Sequence, residues 1–70
     1  MNSEYTALVK RDGEWWIGWI EEIPGVNCQE PTREELLITL RLTLQEALAF
    51  NRQEAIHTAG EEYQEERIAL

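Results

Sequence analysis

The chain has 70 residues and a formal net charge of −8, which comes from 14 acidic and 6 basic residues. This length allows one domain, residues 1–70, near the lower size limit for a chain that folds alone, so help from oligomerisation or from a partner is expected. The charge disfavours nucleic-acid binding, because basic side chains must neutralise the phosphate backbone. The acidity would instead attract a basic protein or simply maintain solubility.

The sequence contains no segment that would place the chain in or across a membrane. No apolar run approaches the roughly 18 residues that a membrane span needs. The N-terminal MNSEYTALVKRDG lacks the apolar core and the cleavage site of a signal peptide. We therefore expect a cytoplasmic protein.

The single cysteine, Cys28, excludes an internal disulfide and leaves too few soft ligands for a structural zinc site, so no cofactor is expected.

Two strands joined by a tight turn are predicted at the start of the chain. Residues 3–11 alternate with the period of a strand, and Asp12-Gly13 favours a two-residue hairpin turn because both residues tolerate positive φ. The next strand, residues 14–21, is apolar on both faces, as in a strand covered on both sides of its sheet or covered by a helix and a second subunit. Gly18 predicts a bulge or a close approach to the backbone. The two faces carry Trp15, Ile17 and Trp19 on one side and Trp16, Gly18 and Ile20 on the other.

A turn, a short strand and a long helix are predicted next. Pro24-Gly25 favours the turn, and residues 26–29 begin the third strand. Thr32, with Glu35 three residues later, predicts a capping box at the helix start. Gly60 is the predicted helix end, and residues 61–70 favour a terminal strand, although they are also compatible with a helix. One arc of the helix, about 120° wide, would pack on the sheet. It contains Leu36, Leu37, Leu40, Leu44, Ala47 and Leu48.

A second, thinner apolar set lies on the far side of the predicted helix. It consists of Ile38, Leu42 and Ala49, with Ile56 as a further member. These residues are either scattered surface hydrophobics, which are normal, or a self-association surface. The chain is therefore expected to form a homodimer or higher homo-oligomer, through this set or through the uncovered face of the sheet.

No motif in the sequence indicates catalysis. His57, the single histidine, has no Ser or Cys neighbour that it could activate, and is expected to be structural. Cys28 lies in a predicted strand and is expected to be a small buried hydrophobe. The many carboxylate pairs lack acid–base or metal-ligand spacing, and Gly-rich phosphate loops and basic clusters are absent. We therefore predict that the protein is not an enzyme.

The order of the predicted elements and several short words within them match a known pattern. The words are Tyr5, Asp12-Gly13, Trp16, Trp19, Ile23-Pro24-Gly25-Val26, Gln29, Thr32-Arg33-Glu34-Glu35-Leu36, Leu40 and Glu46-Ala47-Leu48. With them the chain resembles, over nearly its whole length, the HicB family of antitoxins from prokaryotic type II toxin–antitoxin systems. The resemblance implies an α+β fold with a truncated RNase H-like βββαβ arrangement, a mainly antiparallel sheet and one long helix on one face.

The resemblance also implies a function. HicB-like proteins bind a small basic HicA-type toxin, which cleaves RNA, and mask its RNA-binding or active surface, a task that suits an acidic chain. The candidate toxin contacts are an acidic corner of Glu21, Glu22 and Glu30, with Trp16 as an apolar anchor. Two alternatives stay open. One is a solitary HicB-like oligomer that acts as a scaffold or regulatory binder without a toxin, and the other is an RNase H-related hydrolase.

The chain departs from the family pattern in two places. Cys28-Gln29-Glu30-Pro31 stands where the family tends to have a Ser-Gln-Gly-like segment, which alters the loop before the helix. Many family members also carry a C-terminal DNA-binding module, and none is predicted in residues 1–70. We therefore expect no direct nucleic-acid binding.

Overall fold

The computed structural model describes residues 4–70. In this part of the chain, one helix follows an antiparallel sheet with the strand order β1-β2-β3. The elements are β1 (Ala7–Asp12), β2 (Trp15–Ile20), β3 (Asn27–Glu30) and α1 (Arg33–Ala59). The predicted α+β class and the order of these four elements are confirmed. Residues 4–6, which were predicted to belong to the first strand, precede it in an irregular segment, and Ser3 lies outside the described residues.

The hairpin between β1 and β2 forms where it is predicted, but with a different turn. Asp12 is the last paired residue of β1 and lies opposite Trp15, so the two loop residues are Gly13 and Glu14. Gly13 has φ +62°. Glycine with positive φ at the first central position is typical of a type II′ turn, which matches the twist of the flanking strands. The prediction that Asp12 and Gly13 form the two-residue loop is therefore wrong, because Asp12 is paired with Trp15. Positive φ is needed only at Gly13.

Both ends of α1 are determined by local interactions. The Glu35 N–H donates to Thr32 Oγ1 at 3.1 Å, which satisfies one of the orphan donors of the first turn. At the other end, Gly60 has φ +75° and its N–H donates to the carbonyl oxygen of Ile56 at 3.1 Å. The predicted start and end of the helix are confirmed.

The core forms where α1 lies directly on the backbone of β2. Its buried side chains are Ile20, Val26, Leu36 and Leu40. A Cβ atom placed on Gly18 would lie 2.9 Å from Leu40 Cδ1 and 3.1 Å from Leu36 Cδ2. The pairing of β2 runs through Gly18 without an extra residue, so this glycine marks a close approach and not a bulge. The helix can pack this close only because Gly18 has no side chain.

Leu37 is not part of the core, contrary to the sequence prediction. The side chain is 38% exposed, whereas its neighbour Leu36 is 0% exposed. Leu44 and Ala47 pack half-buried against the core, as predicted. Leu37 remains exposed because the sheet is narrow. Three strands about 4.8 Å apart span too little width to cover a helix arc of about 120°, so residues at the edge of that arc remain in contact with water.

The helix crosses the sheet antiparallel to β3 and extends beyond it. The Thr39 hydroxyl donates to Glu30 Oε2 at 2.6 Å, and the Cys28 thiol donates to Thr43 Oγ1 at 3.5 Å. The later helix residue contacts the earlier strand residue, so α1 and β3 run in opposite directions. A helix of 27 residues is about 40 Å long, about twice the length of β2. Residues 50–59, here called the overhang, therefore project past the sheet, and the molecule is 51 Å long.

The predicted terminal strand is not formed. Residues 61–70 contain no strand, so the last element of the predicted βββαβ order is wrong for the described chain. Gly60 and Glu62 both have positive φ and turn the chain back, and Glu65 Oε1 comes within 3.6 Å of Arg52 Nη2. The segment lies against the overhang because the helix releases it beyond the end of the sheet, away from any strand edge.

Candidate functional site

Two carboxylates predicted to bind a partner lie at the end of the sheet from which the overhang projects. Glu21 and Glu22 follow directly after β2, in the loop of residues 21–25. The antiparallel course of α1 over β3 brings its C-terminal half to this same end. Glu54, on the overhang, is exposed, as are Glu21 and Glu22. We call the loop of residues 21–25 and the overhang together the acidic end of the molecule.

Glu22 also holds the start of the chain against this loop. Its Oε1 accepts a hydrogen bond from the Thr6 N–H at 2.8 Å, and the Glu21 N–H donates to the Thr6 carbonyl oxygen at 2.9 Å. The Thr6 N–H lowers the pKa of the Glu22 carboxyl below its ordinary value of 4.5. One oxygen of the Glu22 carboxylate is therefore already engaged within the chain.

The Glu22 contact predicts a pH dependence of stability. A carboxyl whose pKa is lower in the folded state stabilises the fold above its unfolded pKa, and this contribution is lost as the pH falls through the folded pKa. Glu22→Gln should therefore flatten the decline in unfolding free energy below about pH 5, as measured by urea denaturation at a series of pH values. The control is Glu21→Gln, because Glu21 contacts Thr6 through its backbone. Equal curves for the two variants would contradict the assignment.

Trp16 and Glu30, the other two predicted partner contacts, lie at the opposite end of the sheet. They are cross-strand neighbours on the face that α1 covers. Trp16 is half-buried against the core, and the half-buried Glu30 carboxylate accepts the hydrogen bond from Thr39. Glu21 lies five residues further along the chain than Trp16, which is about 17 Å in a strand. Glu30 therefore does not share one acidic corner with Glu21 and Glu22, and Trp16 lies beside Glu30 and away from the other two.

Phe50 is a surface residue that the sequence analysis did not single out. It lies about 40° around the helix from Leu36, on the sheet-facing side, yet it is 60% exposed because the sheet ends before it. A shallow depression on the overhang is lined by Phe50, Gln53, Glu54 and His57. Comparing the length of the predicted helix with that of the predicted strands would have revealed this exposed aromatic side chain.

The face of the sheet opposite α1 is uncovered. Because side chains alternate along a strand, residues 15, 17 and 19 point away from the helix that packs on Gly18. Trp15 is 45% exposed, and Leu8, which pairs with Trp19 towards the other end of this face, is 42% exposed. The register completes this surface, here called the open face, which contains Leu8, Lys10, Asp12, Trp15, Ile17, Trp19, Asn27 and Gln29.

The outer side of α1 carries the second predicted self-association surface. Ile38 is 62% exposed and Leu42 is 54% exposed, and Ala49 is exposed as well. We call these three residues the outer stripe. Ile56, the further predicted member, is half-buried and lines a depression together with Tyr63 from the C-terminal segment. The chain's own tail therefore covers the C-terminal end of this stripe.

Residues 4–70 show no grouping of three or more His, Cys, Asp or Glu side chains that could hold a metal ion. His57 lies in the last turn of α1, where a cation would interact favourably with the helix dipole. Cys28 is a free thiol, half-buried against the core, with its hydrogen bond to Thr43.

No protein-family model matches the chain, and no curated protein or solved structure matches it. The resemblance to HicB antitoxins therefore stays a prediction from the residues quoted above.

Within residues 4–70, no helix combines the length and the apolar character that crossing a bilayer requires.

Proposed function

We propose that the chain is an antitoxin-like binding domain, which masks the RNA-binding surface of a small basic RNA-cleaving protein of the HicA type in the cytoplasm. The exposed charge supports this proposal most directly. Every carboxylate of the described residues is exposed except that of Glu30, which is half-buried, and the formal net charge is −8. Such a surface attracts a cationic protein over a distance and speeds their encounter.

The acidic end is the part of this surface that best suits the partner. It combines exposed carboxylates on two separate elements, Glu21 and Glu22 in the loop and Glu54 on the overhang. Phe50 adds an exposed aromatic side chain on the overhang, and aromatic residues are frequent anchors in protein interfaces. Lys and Arg side chains that bind RNA phosphates would pair here with carboxylates instead. Masking of this kind requires no catalytic group in the chain.

A second candidate function is a self-associating scaffold or regulatory binder without a toxin. The observation that favours it is the open face, where Trp15 and Leu8 are each more than 40% exposed. Apolar clusters of this kind on a sheet commonly mark protein contacts. The two functions use different surfaces, so they can be tested separately.

The first test is inhibition of RNA cleavage. A small basic protein, recovered from the source cells on the immobilised chain, would be purified and assayed for cleavage of single-stranded RNA with and without the chain. We expect inhibition at stoichiometric amounts that weakens as salt rises, because salt screens the attraction. A toxin that cleaves RNA equally well in the presence of the chain would overturn the proposal.

The second test places the contact. Glu21→Lys/Glu54→Lys changes the acidic end, and Glu14→Lys/Glu46→Lys is the matched control, with one loop residue and one helix residue outside that end. Each Glu→Lys substitution raises the net charge by two units, so the net charge of both double variants is −4 and not −8. We expect inhibition to weaken at least about tenfold more in the first variant, as for truncated interface contacts. Equal losses would show that net charge, and not the acidic end, recruits the partner.

A further inference from the structure

The open face is the one large apolar surface of the described chain on which charge is balanced. Its apolar residues are Trp15, Ile17 and Trp19 of the central strand β2 and Leu8 of β1, which pairs with Trp19. Its charged members are one cation, Lys10, and one anion, Asp12, while β3 contributes two neutral amides. This face is therefore close to neutral in a chain whose net charge is −8.

Charge balance decides which partner suits this face. Two copies of a chain with a charge of −8 repel each other, and they can approach most easily through a surface that carries no net charge. A basic protein gains little electrostatic attraction here, because the excess carboxylates lie elsewhere. Interfaces between two copies of one chain are more apolar at their core than the rest of the surface and are enriched in aromatic residues, which this face supplies.

The isolated chain also exposes more surface than a compact protein of its mass. Its accessible surface is 6168 Å², whereas a compact monomer of this size exposes about 4,500 Å². The radius of gyration is 15.2 Å, compared with about 11 Å for a compact domain of this length. The excess surface is about twice the roughly 800 Å² that each partner loses in a standard interface. The chain therefore exposes more than enough surface to form an interface of standard size.

We propose that two copies of this chain form a two-fold dimer by packing their open faces against each other. Each Trp15 and Trp19 then packs against the apolar centre of the partner's face, and the two sheets lie about 10 Å apart, as in a β-sandwich. The contact is isologous, because the same face serves both copies. The assembly has four layers, with the helices outside, and both acidic ends remain accessible.

The outer stripe suits a second copy less well. Its exposed members are three residues on one helix, and Ala49 offers little apolar area. The stripe is interrupted by polar residues, because Gln45 lies three residues after Leu42 and Arg52 lies three residues after Ala49 on the same side of the helix. Arg52 pairs with Glu65, so the tail lies against this part of the helix. A helix-to-helix dimer would have to bury these polar groups or displace the tail.

The dimer is tested by sedimentation velocity over a range of protein concentrations at about 50 and about 500 mM NaCl. We expect a dimer that tightens as salt rises, because salt screens the repulsion between two acidic chains. Binding of a basic partner has the opposite salt dependence, so failure of this inference and failure of the proposed function are distinguishable. A monomer at every concentration and salt would overturn the inference.

Two variants with equal charge changes identify the face. Leu8→Glu/Trp15→Glu alters the open face and Ile38→Glu/Leu42→Glu alters the outer stripe, and each adds two negative charges. We expect the first to raise the dissociation constant at least about thirtyfold, as for loss of interface anchors, and the second to change it less than about threefold. The reverse result would overturn the inference.

Tryptophan fluorescence gives a second measurement that requires no substitution. Dissociation of the dimer exposes Trp15 and Trp19, whereas Trp16 keeps its place against the core. We expect the emission maximum of the unmodified protein to shift to longer wavelength on dilution, in step with dissociation. A dimer that dissociates without any change in emission would use another surface, and the inference would be wrong.

Discussion

Replacing Leu36 with alanine is expected to lower the free energy of unfolding by about 3–5 kcal/mol, whereas Leu37→Ala should cost less than about 1 kcal/mol. Leu36 is 0% exposed and packs on Gly18, so truncation leaves a cavity that the surrounding backbone cannot fill. Leu37 is 38% exposed. The domain as a whole is expected to have only about 4–10 kcal/mol of stability, so the first variant loses a large share of it.

The two adjacent leucines form a matched pair, because both changes have the same effect on helix propensity. Urea denaturation followed by far-UV circular dichroism, at one fixed protein concentration, measures both variants. Equal losses at the two positions would mean that Leu37 is also buried in solution, and that the helix sits on the sheet in a different rotation.

Placing a side chain on Gly18 is expected to cost about 1–3 kcal/mol for Gly18→Ala, and more for Gly18→Val. The added Cβ would lie 2.9 Å from Leu40 Cδ1 and 3.1 Å from the Leu8 carbonyl oxygen. Alanine in place of glycine would otherwise stabilise a strand by reducing the entropy of the unfolded chain. The steric contact should outweigh that gain, because the Leu8 carbonyl oxygen belongs to the backbone of the paired strand and cannot move far.

A double-mutant cycle checks this cause. Leu40→Ala removes the side chain that approaches Gly18 most closely, so Gly18→Ala should be less harmful in that background by about 1 kcal/mol. Strictly additive losses would show that Leu40 is not the group that the new methyl meets.

The sequence determined those features that arise from interactions between residues close together in the chain. The hairpin follows from a glycine that accepts positive φ, the helix start from the Thr32 hydroxyl and the N–H three residues later, and the helix end from Gly60. The period of apolar residues likewise determined which side of α1 holds Leu36 and Leu40. Each of these features depends on backbone geometry over a few residues, so it can be read without knowing the fold.

The tertiary structure alone decided which residues share a surface. Glu21 and Glu30 look like one acidic corner in the sequence, but the register of β2 and β3 places them at opposite ends of the sheet. The alternation in residues 61–70 predicts a strand, but a strand needs an edge to pair with, and the helix releases this segment beyond the sheet. Leu37 and Phe50 remain exposed because the sheet is narrower and shorter than the helix face above it. These outcomes depend on the relative sizes and directions of elements far apart in the chain, which a local pattern cannot encode.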